Sequence, residues 1–500
     1  VRLRRIKIPP VIFTVLAALV SIGISPAGSG AITDVYAGGR GFSAGKSLAG
    51  KPRASDKLSR SIAHYTMGII YDNESNPREA IREYEAVLRI DPGISYAHTR
   101  LAADHFLLKN TDKALSELSA AVALDPSDVR PRFLAGLIYT SLGKYDQAQK
   151  EYQEAVRLAP DSIWALSSLA DLFVLQEKMA EAASVYEKLI ASERSDPDEA
   201  GSEVLYFNLG VIYSRMGKSA EAMDAFRSAV KLNDRYPEAH IGLAILHEMN
   251  NGYDDAIRSY EKAISIDPAN AGVYHHLGMA LIRANRYDEA VKVYQTLSKI
   301  DPKDPYAYIE WANVYFLLKK PDDAIAVLRS GLGLPVKDAD LYTMLGYAYS
   351  LKDKVHPEAL RFYNMAVELK PDSPIAHFYL GTYYDALNNS ELAKSRLREA
   401  IRLDPDYDDA LNYLGYMLAQ EGVDLDEAVG LIKRALEQDP ENGAYLDSLG
   451  WAYYKKGMPE EALGLIERAL EVMPGEPEIV RHLEEVKEKL KNKQPVSSVR

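Results

Sequence analysis

The sequence predicts an all-α solenoid, a file of short helix pairs stacked so that each buries its apolar face against the next. Three observations predict it. Alanine returns at one register, at Ala80, Ala114, Ala148, Ala182, Ala222, Ala256, Ala290, Ala324, Ala359, Ala393, Ala428 and Ala462, in steps of 34 or 35 residues with a single step of 40. A second small residue stands twelve or thirteen positions before each alanine, running Gly68, Ala102, Gly136, Ala170, Gly210, Ala244, Gly278, Ala312, Gly346, Gly381, Gly415, Gly450. Most units close on proline, usually after aspartate, as at Asp91-Pro92, Asp125-Pro126, Asp267-Pro268, Asp301-Pro302, Asp404-Pro405 and Asp439-Pro440. A period of this size marks stacked repeats, two small residues per unit let two helices approach closely, and proline ends each unit because it cannot continue a helix.

The elements follow in chain order. Arg2, Arg4, Arg5 and Lys7 precede an uncharged apolar run from Val11 to Ile24 and then small, turn-forming residues. That order describes a secretory signal over residues 1–37, with cleavage after Ala31 or Ala37, or in the alternative an uncleaved membrane anchor. Residues 38–60, rich in glycine, serine and lysine, are expected to form a flexible linker. Gly45-Lys46-Ser47 imitates the end of a phosphate-binding loop, but Arg40 occupies the place of its first glycine and no strand precedes it.

The repeats are expected over residues 61–474. In Pro459–Leu470, Ala462, Leu463, Ile466, Ala469 and Leu470 fall at helical spacing, while Glu460, Glu461, Glu467 and Arg468 take the other face. The 40-residue step holds six extra residues between Ala191 and Ser202, a longer loop between the fourth and fifth units. Beyond the last unit, Ile479, Leu483, Val486 and Leu490 form one stripe in a charged helix over 475–493, a cap for the open end of the stack. Residues 494–500 are expected to be a disordered tail.

Leu209-Gly210 with Tyr213, Ala222, Phe226 and Ala229 resembles the signature of the tetratricopeptide repeat, as do Gly136, Tyr139, Ala148, Tyr152, Ala155 and Pro160. The resemblance covers twelve units. It implies a right-handed superhelix of antiparallel helix pairs whose first helices line a concave groove. Leu411 to Leu470 is also similar to the closing repeats of a class of exported bacterial repeat proteins, some of which assist envelope assembly.

Candidate chemistry dissolves on this register. With the small residue counted as eighth, His64, His98, His240 and His377 fall at the fourth position, where other units carry tyrosine. His105 and His247 fall at the eleventh, again a tyrosine position. The pairs His98/His105 and His240/His247 are about 10 Å apart along a helix, too far to share a metal. No metal or cofactor is expected. The chain has no cysteine, hence no disulfide and no lipid carried on a thiol. A net charge of −13, with no basic stripe at groove positions, argues against nucleic acid.

In this family the second, fifth, sixth, ninth, twelfth and thirteenth positions face the groove. Carried over, they give Tyr96, Phe106, Phe133, Trp164, Phe207, Asn208, Tyr306, Asn313, Phe316, Tyr347, Phe378, Tyr379, Tyr413, Tyr416, Trp451 and Tyr454. Members that clamp acidic chaperone tails use lysines and asparagines there, and no unit here has lysine at the second or fifth position. The aromatic inventory suits an extended or helical partner segment with apolar anchors. The expected function is therefore a non-enzymatic protein-interaction scaffold of the bacterial envelope, periplasmic or held on the outer side of the inner membrane, with an adaptor role in a secretion, pilus or polysaccharide-export assembly as the second binding reading. The alternative, an enzyme acting on envelope polymers, needs an acidic pair that no spacing in the sequence reveals.

Overall fold

The computed structural model describes residues 54–160, 162–193, 202–335 and 337–493, and these contain twenty-five α-helices and no strand. The chain divides into two compact units, Val1–Leu246 and His247–Arg500. The first holds α1 (Ala54–Asn73), α2 (Pro77–Ile90), α3 (Ser95–Leu107), α4 (Thr111–Leu124), α5 (Val129–Ser141), α6 (Tyr145–Leu158), α7 (Ile163–Leu175), α8 (Met179–Glu193), α9 (Ser202–Arg215), α10 (Ser219–Leu232) and most of α11 (Pro237–Met249). The second holds α12 (Tyr253–Ile266), α13 (Ala271–Arg283), α14 (Tyr287–Ile300), α15 (Pro305–Leu317), α16 (Pro321–Gly331), α17 (Ala339–Lys352), α18 (Pro357–Leu369), α19 (Pro374–Ala386), α20 (Ser390–Leu403), α21 (Asp408–Glu421), α22 (Leu425–Gln438), α23 (Gly443–Lys455), α24 (Pro459–Val472) and α25 (Pro477–Lys493).

Local chemistry sets the helix ends. Pro77, Pro305, Pro321, Pro357, Pro374 and Pro459 open helices at a place where no N–H is needed. Asp128, Ser162, Asp338 and Asn442 cap others by accepting a backbone N–H, and Ser373 does so ahead of Pro374. The tight turn inside most pairs contains a left-handed residue, though the turn between α17 and α18 has none. Glycine supplies it at Gly143, Gly217, Gly422 and Gly457, whereas Lys109, Glu177 and Lys319 adopt it with a side chain in place.

Packing explains the two small positions. Each marker alanine is completely buried. The earlier small residue receives the large side chain that stands four residues after that alanine. A Cβ on Gly136 would lie 2.5 Å from the Tyr152 ring, and one on Gly450 would lie 2.5 Å from Ile466 Cγ1. Tyr84, Tyr152, Tyr186, Tyr260, Tyr294 and Tyr363 fill this place and are the largest fully buried side chains.

Within the second unit, first helices of consecutive pairs pack on one another, α15 on α17, α17 on α19 and α21 on α23, while second helices have no comparably extensive contact among themselves. The first-helix layer is thus the tighter, inner side of this unit. The arrangement is all-α, antiparallel pairs in a stack, as the periodicity predicts.

One boundary differs from expectation. α1 begins at Ala54, so residues 54–60, expected to be linker, are helical. Asp56 in its first turn favours the positive end of the helix dipole, and Leu58 and Ile62 start the helical spacing. The expected signal, the rest of the linker, the added residues 194–201 and the tail 494–500 lie outside the described residues. No helix among the described residues is long and apolar enough to cross a membrane.

Candidate partner-binding groove

Side chains on the inner layer of the second unit join four successive first helices through a chain of rings. Phe316 on α15 meets Tyr347 on α17 edge-on at 5.1 Å between centroids. Tyr347 meets Tyr379 on α19 at 5.2 Å. Phe378, beside Tyr379 at 5.3 Å, contacts Tyr413 on α21 at 6.0 Å and Tyr407 at 5.3 Å. Phe316, Tyr347, Phe378, Tyr379 and Tyr413 are half-buried, so each packs against its neighbours and keeps a face toward solvent. Below the strip, Tyr363 of α18 stacks parallel to Tyr379 at 6.0 Å and fixes its plane.

Carboxylates accompany these rings. Tyr413 donates to Asp385 at 2.8 Å, and Tyr445 donates to Asp409 at 2.9 Å. Burial, then the neighbouring Tyr347 and Asp409 groups, push Tyr379 up to about 12. Burial and the Asp385 charge likewise raise Tyr413, so both hydroxyls stay protonated donors at neutral pH. At the other end of the layer, His275 bridges Glu310 through Nδ1 at 2.7 Å and Asp304 through Nε2 at 2.8 Å. Burial alone would lower this histidine, but the two carboxylate bonds outweigh it and lift it to about 9, which makes it an imidazolium. Its neighbour His276 stacks on Tyr260 at 5.8 Å.

The remaining groove candidates of this unit divide. Tyr306 is 41% exposed, and Asn313 is half-buried. Trp451 is only 3% exposed, because His482 of α25 stacks on it at 3.9 Å and its Nε1 donates to Gln420 at 2.6 Å. His482, itself fully buried, bonds Asp447 at 2.9 Å. Tyr416 donates to Glu478 of α25 at 2.5 Å, and Lys489 of α25 lies 4.7 Å over Tyr454. α25 therefore covers Trp451 and engages Tyr416 and Tyr454, and the open part of the layer is the strip from Phe316 to Tyr413.

In the first unit the candidates do not form one strip. Tyr96 packs on Tyr65 at 5.6 Å under the Arg130 guanidinium at 4.3 Å. Phe106 is half-buried on the core, and Phe133 is buried against Tyr152 at 6.1 Å. Trp164 is 56% exposed. Phe207 lies between Phe226 and Tyr236, and Asn208 donates to Tyr186 at 3.1 Å. Phe133 and Trp451 thus act as core side chains here, since burial removes the surface a partner would touch.

A close acidic pair does exist in this unit. Asp72 of α1 accepts from Tyr84 at 2.6 Å and faces Arg100 of α3 at 3.4 Å. Asp104 of α3 is 3% exposed; burial, then the Asp72 charge, push it up to about 9. A protonated Asp104 gives Asp72 a donor, which accounts for the otherwise unpartnered Oδ1 of Asp72 and Oδ2 of Asp104. The pair ties α1, α2 and α3 together through Tyr84 and Arg100. The histidines at the fourth position are also more than aromatic stand-ins: His64 and His98 reach Glu83 and Glu117 on the paired helix, each at 2.6 Å. His240 and His377 bond the Asp234 and Pro371 carbonyls. No group of three His, Cys, Asp or Glu side chains among the described residues is placed to hold a metal.

Models of the tetratricopeptide repeat match residues 65–129, 207–271 and 378–442, 249–309 and 418–483, 136–177, and 165–200, together more than half of the chain. The chain belongs to the tetratricopeptide repeat family. Proteins of this family mediate protein–protein interactions. Human protein O-mannosyl-transferase TMTC3 is 24% identical over 397 residues, 76% of this chain and 39% of that protein. The anaphase-promoting complex subunit CDC16 of Saccharomyces cerevisiae is 21% identical over 221 residues, 44% of this chain and 26% of that protein. The chain thus spans well under two thirds of the length of these relatives. The crystal structure of yeast Tom70 aligns over 87% of this chain and 96% of its own, at 16% identity and a TM-score of 0.45.

The aromatic members of the strip were legible from the register. Asp385, Asp409 and Asn412 were missed, although they occupy the twelfth, second and fifth positions of their units and the same rule reaches them.

Proposed function

We propose that this tetratricopeptide repeat protein is a non-enzymatic scaffold of the bacterial envelope that holds a partner segment on the inner layer of its second unit. The twelve alanine-marked units are taken as twelve repeats. The carrying observation is the ring chain from Phe316 through Tyr347, Tyr379 and Phe378 to Tyr413, half-buried and contributed by four first helices. Half-buried aromatic side chains already held by their neighbours lose little entropy on binding, so they anchor a partner well. Export or a membrane tether rests on the basic and apolar start of the sequence. Within the envelope the reading extends to an adaptor in a secretion, pilus or polysaccharide-export assembly, where several weak contacts along the layer combine through proximity.

A photocrosslinking side chain placed at Tyr347, and separately at Arg361 on the outer helix α18, tests this in the native cell. Envelope proteins captured at Tyr347 and not at Arg361 are the expected result. Capture of cytoplasmic proteins only would overturn the envelope reading, and equal capture at the two positions would overturn the groove.

A further inference from the structure

Lysine and arginine in the second unit are sorted between the two helices of each pair, whereas carboxylates stand on both. The first helices α15, α17, α19 and α21 carry six carboxylates, Glu310, Asp340, Asp385, Asp408, Asp409 and Glu421, and a single lysine or arginine, Lys352. That lysine sits in the last turn of α17 and is bonded to Asp322 at 2.5 Å. The intervening second helices α16, α18, α20 and α22 carry eight lysines and arginines beside nine carboxylates, a net of −1 against −5 for the first helices. The inner layer is therefore aromatic and anionic, while the cations lie on the other helices.

Two carboxylates of this set stand at the rings. Asp385 and Asp409 each accept one tyrosine hydroxyl, and a carboxylate has room for further donors. Asn412, which shares its register position with Phe378, has a buried Oδ1 without a donor. Acceptors beside aromatic faces recognise ammonium and guanidinium groups, through charge-assisted hydrogen bonds at the carboxylate and through the ring quadrupole. The net charge of −13 adds long-range attraction for a positive partner.

We propose that the face formed by α15, α17, α19 and α21 takes a basic peptide segment, a stretch of a partner protein in which arginine or lysine alternates with apolar residues. This rests on the scaffold reading above and names the chemistry of its partner. The cationic groups lie against Asp385 and Asp409, and the apolar residues beside them lie on Phe378 and, one helix further, on Tyr347. A flexible, extended ligand fits because these acceptors are spread along two successive first helices.

Panning the full chain with a random peptide display library tests the proposal without a known partner. Selected peptides are expected to be enriched in arginine and lysine beside aromatic or aliphatic residues. A synthetic copy of the best one should bind about tenfold more weakly to the Asp385→Asn, Asp409→Asn double variant, and more weakly still at high salt. Asparagine keeps the shape of aspartate, an unchanged thermal melt checks the fold, and an Asp385→Glu, Asp409→Glu variant should retain binding. Selection of acidic or neutral peptides whose binding is lost in Phe378→Ala overturns the charge inference and leaves the scaffold standing. Basic peptides that bind the double asparagine variant as well as the parent also overturn it, since the attraction is then that of the general surface. Failure to select any peptide overturns both.

Discussion

Gly450 and Gly464 lie in the two helices of one pair, and replacing each by alanine should have opposite effects. A Cβ at Gly450 would lie 2.5 Å from Ile466 Cγ1 and 3.2 Å from the Ala462 carbonyl oxygen, whereas one at Gly464 meets nothing within 4 Å. Ordinary contact begins near 3.4 Å. The first substitution must therefore displace the Ile466 side chain or part α23 from α24, and overpacking of this kind costs about 1–3 kcal/mol. Both substitutions gain up to about 1 kcal/mol from replacing a helical glycine. Gly464→Ala should accordingly stabilise the chain by about 1 kcal/mol, and Gly450→Ala should leave it roughly 0–2 kcal/mol less stable. The propensity gain is common to both, so the difference between the two variants isolates the overpacking. Urea unfolding followed by circular dichroism gives that difference, and amide hydrogen exchange in α23 and α24 locates it. Two variants that shift stability equally would refute the close-approach account of the small residues.

Three further outcomes are expected. Lys319 holds φ of 57° in the turn between α15 and α16, so Lys319→Gly should raise the urea midpoint by the equivalent of about 0.5–1 kcal/mol, whereas no gain would mean that the turn carries no strain. His275 is raised to about 9, so its contribution, at most about 3 kcal/mol, is fully present below its unfolded value near 6.5 and is lost as pH rises through 9. Melting temperature should fall over that window and fall less in His275→Gln; parallel profiles would count against the clamp. Asp104 is raised instead as a carboxyl, so the folded state holds a proton that the unfolded state has already released, and stability drops from the ordinary carboxylate range upward until about 9. Asp104→Asn should flatten that slope in unfolding experiments between pH 5 and pH 9, and an unaltered slope would place the cause elsewhere.

Helix class, pair boundaries and packing partners were legible because they are local. The spacing from Ala148 to Tyr152, or from Gly450 to Ala462, is set by helical geometry and repeats along the chain, so periodicity alone places these side chains in the core. A register position maps onto one face of a first helix, yet it does not say whether the side chain there stays open, since Phe133 is buried against Tyr152. What the register does not carry is the identity of the neighbour across the stack. Trp451 and Tyr416 share one register position with Tyr347, yet Trp451 is covered by His482 and Tyr416 is held by Glu478, because α25 packs beside α23. The pairing of Asp72 with Asp104, the clamp of His275 between Asp304 and Glu310, and the meeting of Tyr413 with Asp385 are of the same kind. Each joins residues of different repeats, and the approach of those side chains is decided by the tilt of one helix pair on the next. Sequence spacing therefore determined the stack and its faces, while tertiary packing alone decided which aromatic and acidic side chains remain open to a partner.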